Sequence, residues 1–158
     1  MLCFFLGHRD APDDIRPALV QAVERSITQH GVTEFVIGHY GSFDRMASSV
    51  VRAAKVVHPT IKLTLLLPYY TIHTANIGEG FDGFFYPEGQ ETIPKRAAII
   101  RANQYMIDHC DYLIMYARHI GSNTREFLDY AQRRFQRTGK PEMINLADWD
   151  NRCPYSIS

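Results

Sequence analysis

Three cysteines in 158 residues (Cys3, Cys110 and Cys153) are too few and too widely spaced for a disulfide framework. No CxxC pair is present, and the seven histidines never show HExxH spacing, so no metal site is expected. The thiols read as reduced side chains of a cytoplasmic protein. Neither sign of charge is in excess: 17 basic and 17 acidic side chains balance, with seven of each in residues 1–79 and ten of each in residues 80–158. Without a basic lobe the charge pattern suggests no membrane surface and no strong nucleic-acid partner. The longest clean apolar run, Leu65 to Leu67, is far short of the roughly 20 residues that span a bilayer. The apolar start at residues 2–6 has no basic flank, so a signal peptide is not expected. Repeats and low-complexity tracts are also lacking. The G-x-S-x-G elbow, the GxxxxGK[ST] loop and the strict G-x-G-x-x-G fingerprint are all missing. That argues against an α/β-hydrolase, a P-loop NTPase and a standard dehydrogenase.

What is present is an ordinary globular composition, 46% apolar, 12% aromatic and 22% charged, at a length suited to one domain. Apolar runs alternate with helical periodicity along the whole chain. Strands are expected at residues 2–6, 35–37, 62–67, 111–116 and 142–145, with helices near 15–30, 46–57, 93–109 and 124–137. Residues 69–92 break this rhythm. They are rich in glycine and aromatics and read as a flap, with some of Tyr69, Tyr70, Phe81 and Phe84 facing a cleft and a short strand near 83–86. The order implies a single-domain, three-layer α/β/α Rossmann-like fold over residues 1–158, with a mainly parallel sheet. Ligands of such sheets bind outside the carboxyl ends of the strands, so the site is expected in the turns that follow them.

Three of those turns carry suitable chemistry. Gly7-His8-Arg9 follows the first strand; the glycine permits close approach and the arginine offers a fork for phosphate or carboxylate, or is simply solvated at a tight turn. Gly38, Gly41, Ser42, Phe43 and Asp44 span the second strand end and the next helix start, where backbone N–H groups suit an anion and Ser42 suits an N-cap. Asp44 either favours the helix dipole or accepts from a ribose hydroxyl. Gly121, Ser122, Asn123 and Thr124 form a third turn of this kind, with ordinary capping by Ser122 or Thr124 as the alternative. Arg101 sits among apolar neighbours and needs a partner if it is buried.

The order of these motifs resembles the SLOG superfamily of Rossmann-like proteins, which includes DNA-processing protein A and the Lonely Guy phosphoribohydrolases. The motifs are GHR after the first strand, G-x-x-G-x-F-D-x-x-A into the second helix, Leu67-Pro68-Tyr69 at the third strand exit, and a D-x-L-I strand. The nearest likeness is to a small bacterial subgroup of unknown function that begins with Gly-His-Arg. The resemblance, from Gly7 to Asn145, implies a nucleotide-derived ligand held by Gly7, His8, Arg9, Gly38, Gly41, Phe43 and Asp44. Asn103 is retained from the family's Arg-Asn-Arg helix motif, with Arg101 one position early. Ser122-Asn123-Thr124 replaces a glycine-rich turn, and Asn123 is the residue expected to take up its positive φ. The Lonely Guy glutamate motif is incomplete, with Glu126 one place short.

Three functions follow as expectations. The leading one is a nucleotide or ADP-ribose-like binding and sensing module that uses no cofactor, with a homodimer as the superfamily's expectation. The second is a nucleotide N-glycosidase with Glu126 or Asp44 as the catalytic carboxylate. The third is a protein–protein adaptor with a vestigial pocket.

Overall fold

A computed structural model describes residues 1–38, 41–69, 80–119 and 121–148. Among the described residues six strands form one sheet: β1 (Leu2–Gly7), β2 (Glu34–Ile37), β3 (Lys62–Leu66), β4 (Gly83–Phe85), β5 (Tyr112–Tyr116) and β6 (Glu142–Asn145). The order across the sheet is β4-β3-β2-β1-β5-β6, and every neighbouring pair is parallel. The α-helices among the described residues are α1 (Arg16–Thr28), α2 (Ser42–Val57), α3 (Lys95–His109) and α4 (Asn123–Thr138). This is the three-layer, parallel Rossmann-like architecture read from the sequence. No helix among the described residues is long and apolar enough to cross a membrane.

The continuous apolar character of the strands follows from burial on both faces. In β1, Cys3 and Phe5 join the core beneath α1 and α2, while Phe4 enters the core beneath α3 and α4. The same division separates Phe35 and Ile37 from Val36, and Ile114 from Leu113 and Met115. Helix limits follow local chemistry. Pro94 immediately precedes α3, and α4 ends at Gly139 with φ 79°. Gly31, with φ 70°, turns the chain from α1 toward β2.

The chain builds the sheet outward from β1 to β4, then crosses back over α3 to place β5 on the other side of β1. The topological switch point therefore lies between the carboxyl ends of β1 and β5, at Gly7 and Tyr116, which are register partners.

The flap expectation needs correction in part. Its Tyr70, and all of 71–79, lie outside the described residues, while residues 83–85 pair with β3 as a sheet edge. None of Tyr69, Phe81 and Phe84 lines the cleft. Phe81 packs beside α2, with the Arg52 guanidinium carbon 5.0 Å from its ring centre. Phe84, the register partner of Leu65, is exposed on the outer strand and lines a separate groove with Glu34, Lys62 and Tyr105. An outermost strand turns its aromatics to the outer groove, and Phe81 is drawn onto α2, in a smaller neighbouring pocket that also holds Gly38 and Asp44.

Candidate functional site

Strand ends and helix starts close around a cleft of ≈ 280 Å³ at the carboxyl edge of the sheet, beside the switch point. The β1 turn contributes Gly7, His8, Arg9 and Asp10. The end of β2 and the start of α2 contribute Gly38, Gly41 and Asp44, and α4 contributes Asn123, Thr124 and Phe127. Leu66 and Pro68, with Ile99, Ile100 and Asn103 of α3, supply much of the remaining wall. Nine residues singled out in the sequence thus meet in one cavity: Gly7, His8, Arg9, Gly38, Gly41, Asp44, Asn103, Asn123 and Thr124.

The two glycine turns meet each other. A Cβ on Gly7 would collide with the ring of Phe43, and one on Gly41 would collide with the Arg9 backbone. The Arg9 carbonyl accepts from the Ser42 N–H at 2.9 Å, and the Ser42 hydroxyl donates to the Ala11 carbonyl at 2.9 Å. Ser42 is therefore not the N-cap. Gly41 holds that position, and the serine hydroxyl ties the start of α2 to the β1 turn. Phe43 is fully buried in the core and serves packing.

Across the cleft, Ser122 caps α4, accepting from the Arg125 N–H at 3.1 Å and donating to the His119 carbonyl at 2.7 Å. Gly121 carries the positive φ (82°) that Asn123 was expected to adopt; Asn123 is the first residue of α4. Neither Gly121 nor Ser122 lines the cleft. Arg101 is exposed and also lies outside the lining; its apolar neighbours do not bury it, because one helix face can be wet while the next is packed. Glu126 opens onto a separate groove with Gln104, Asp129 and Arg133, so it and Asp44 do not share a cavity.

His8 is buried, 6% exposed, and its Nε2 accepts from the backbone N–H groups of Arg118 (2.8 Å) and His119 (3.1 Å). Burial, with the His119 ring 4.5 Å away, holds its pKa below the ordinary 6.5; Asp10 acts in the opposite sense. Asn145 is a second clamp on this turn. Its amide donates to the Ala117 carbonyl at 3.1 Å, and its oxygen accepts from the Ala117 N–H at 3.0 Å. Gln90 clamps a different segment, donating to the carbonyls of Pro68 (3.0 Å) and Ala98 (2.7 Å) and so joining the β3 exit to α3. Gln90 and Asn145 were not singled out in the sequence, although a polar residue closing an apolar strand was a usable signal at Asn145. The isoleucines of α3 were missed because apolar helix positions read as core.

The charged lining is sparse: Arg9 is exposed, and Asp10 and Asp44 are the carboxylates. Two 16-residue helices, α2 and α4, begin at the rim, and their N-terminal dipole ends offset those carboxylates. Such a cleft suits one phosphate beside a hydroxyl-bearing sugar. Among the described residues no group of three His, Cys, Asp or Glu side chains is placed to hold a metal ion.

No family model matches the sequence, and no curated protein matches it. Among solved structures, the chain is similar to DNA processing protein A from Helicobacter pylori, which is described by its single-stranded DNA binding mode. The TM-score is 0.56 at 13% sequence identity, over 99% of this chain and 81% of that one. This neighbour overturns the reading that no nucleic acid is signalled. Balanced net charge bears on duplex binding, whereas a single strand needs only a local groove and faces on which bases stack. The likeness is one of fold, and it relates this chain to the architecture of DNA processing protein A.

Proposed function

We propose that the chain is a binding module for a nucleotide unit, held at the carboxyl-edge cleft. One observation carries this reading: the first two strand-end turns and the start of α4 meet in a single cavity at the switch point of a parallel sheet. The phosphate lies at the starts of α2 and α4 with Arg9 beside it, and Asp44 accepts from the sugar hydroxyls, where a carboxylate does not repel the phosphate. Arg9 contributes a charge-assisted hydrogen bond of roughly 1.5–3 kcal/mol, or about ten- to a hundredfold in affinity.

A second form of the reading is favoured by the structural neighbour: the nucleotide unit is one residue of a single strand. Titration calorimetry with a nucleoside, its 5′-monophosphate, NAD and an oligothymidylate tests both. Arg9→Ala is expected to weaken phosphorylated ligands far more than the nucleoside, and Asp44→Asn to weaken both alike. Equal losses for Arg9→Ala on nucleotide and nucleoside would assign the arginine to the fold. Binding of the oligomer together with silence from the mononucleotides selects the single strand. Release of free base during the titration, read by chromatography, would replace the module by a hydrolase.

A further inference from the structure

We propose that His8 is a positioning residue whose unprotonated Nε2 holds the α4 side of the cleft in shape, making anion binding there proton-sensitive. The inference rests on the nucleotide reading above and adds its regulation. Two consecutive backbone N–H groups, those of Arg118 and His119, converge on one ring nitrogen at 2.8 and 3.1 Å. A ring nitrogen accepts only when it carries no proton, so the ring is neutral with its hydrogen on Nδ1. The clamp then passes along the chain. The His119 carbonyl accepts from the Ser122 hydroxyl, and Ser122 caps the first turn of α4, where Asn123 and Thr124 line the cleft.

A proton arriving at Nε2 would face two donors with a third. The turn would have to withdraw from the ring, and the start of α4 with it. The new charge would also attract an anion, but Nε2 points at the backbone of the turn, so loss of the clamp dominates. The ionisable surroundings are Arg9 and Asp10 on its own turn, and Tyr116, edge-on at 5.7 Å, on β5. The His119 ring lies tilted at 4.5 Å from the next turn, with Arg118 beside it. Arg125 of α4 reaches the Ala117 carbonyl at 3.4 Å, and Asp44 of α2 lines the same cleft. Burial and His119 favour the neutral ring more than Asp10 opposes it, so the clamp holds at neutral pH and opens on the acid side of 6.5.

Nuclear magnetic resonance and one binding series test this together. The Arg118 and His119 amide resonances are followed across the His8 titration in the free protein. Oligothymidylate without a terminal phosphate is the probe for binding, because the second ionisation of a phosphate monoester, at about pH 6, is then absent and no other group of it titrates between about pH 5 and pH 7.5. The two amides are expected to shift in step with the His8 ring, and affinity to fall about tenfold between those pH values, the size of one or two lost hydrogen bonds. His8→Ala should bind weakly at both pH values. His8→Gln, which restores a proton-free acceptor, should recover most of that loss and show no acid decline. Amides that ignore the His8 titration overturn the proposal. Affinity that rises in acid also overturns it, by making His8 a direct partner of the anion. Failure of the wild type to bind the probe at about pH 7.5 overturns the single-strand reading instead, and the amide titration then judges the clamp by itself.

Discussion

Gly7 and Gly41 show how one residue type serves two demands. Their lack of a Cβ lets the β1 turn and the start of α2 approach each other, and that approach shapes the cleft floor. Gly7→Ala must displace the fully buried Phe43 ring, and Gly41→Ala must displace backbone, so each is expected to cost about 1–3 kcal/mol. Urea unfolding measures this; wild-type midpoints for both variants would mean the turns give way freely. The cysteines offer a second check at this scale. Burial pushes the Cys3 thiol well above its ordinary range and the Cys110 thiol up to about 12. Both should resist alkylation in native protein at mildly alkaline pH and react on unfolding, as mass spectrometry would report site by site. Rapid native modification of either would show that β1, or the junction between α3 and β5, opens locally.

Among the elements, the two edges of the sheet are fastened by different chemistry. At the carboxyl edge the fasteners are neutral, His8 and Asn145. At the amino edge they are carboxylates. Asp111 accepts from Lys140 at 2.7 Å and from the Leu2 N–H at 2.9 Å, at the start of β1. Asp82 pairs with Lys55 and accepts from the Leu63 N–H at 2.8 Å, near the start of β3. The lysine bonds, and after them the backbone N–H groups, hold both carboxyls below the ordinary 3.8. A depressed folded pKa means that the unfolded chain binds protons first. Stability from these pairs is therefore complete above about pH 4 and is lost as pH falls below 3.8 through the folded values. Thermal unfolding of Asp111→Asn across that window should show a flatter acid decline than wild type. An identical decline would assign it to other carboxylates.

For the whole molecule, zero net charge and a lining with one arginine and two aspartates limit what the cleft holds. A single phosphate has two helix starts and Arg9 to balance it, whereas a triphosphate brings more negative charge than those groups can answer. Monophosphates or phosphodiesters are expected to bind more tightly than the corresponding triphosphate by calorimetry at constant ionic strength. A triphosphate that binds best would place a cation in the site beyond those seen here. Salt should act weakly on binding of a single strand, since few phosphates meet a cation.

Periodicity and turn chemistry in the sequence determined the element order, the parallel sheet and the edge on which the turns gather. These are local or pairwise matters: an apolar run stops at a glycine, a helix begins after a proline or a small polar residue, and right-handed crossovers do the rest. Glu142–Asn145 was legible to the residue, and eight of the nine residues that meet in the cleft were legible as types at strand ends and helix starts, whereas Asn103 on α3 came from the family resemblance alone. Which partner each of them faces was decided only by the tertiary structure. Gly7 faces a phenylalanine 36 positions away, and His8 faces backbone 110 positions away. Arg101 and Glu126, plausible by spacing, turn to other surfaces because helix rotation is set by packing against the sheet. Gln90 and Asn145 brace the segments beside the site only because distant parts of the chain leave carbonyls and N–H groups there that need partners. Such long-range satisfaction of buried polar groups leaves no periodic trace along the chain, and here it shapes the cleft.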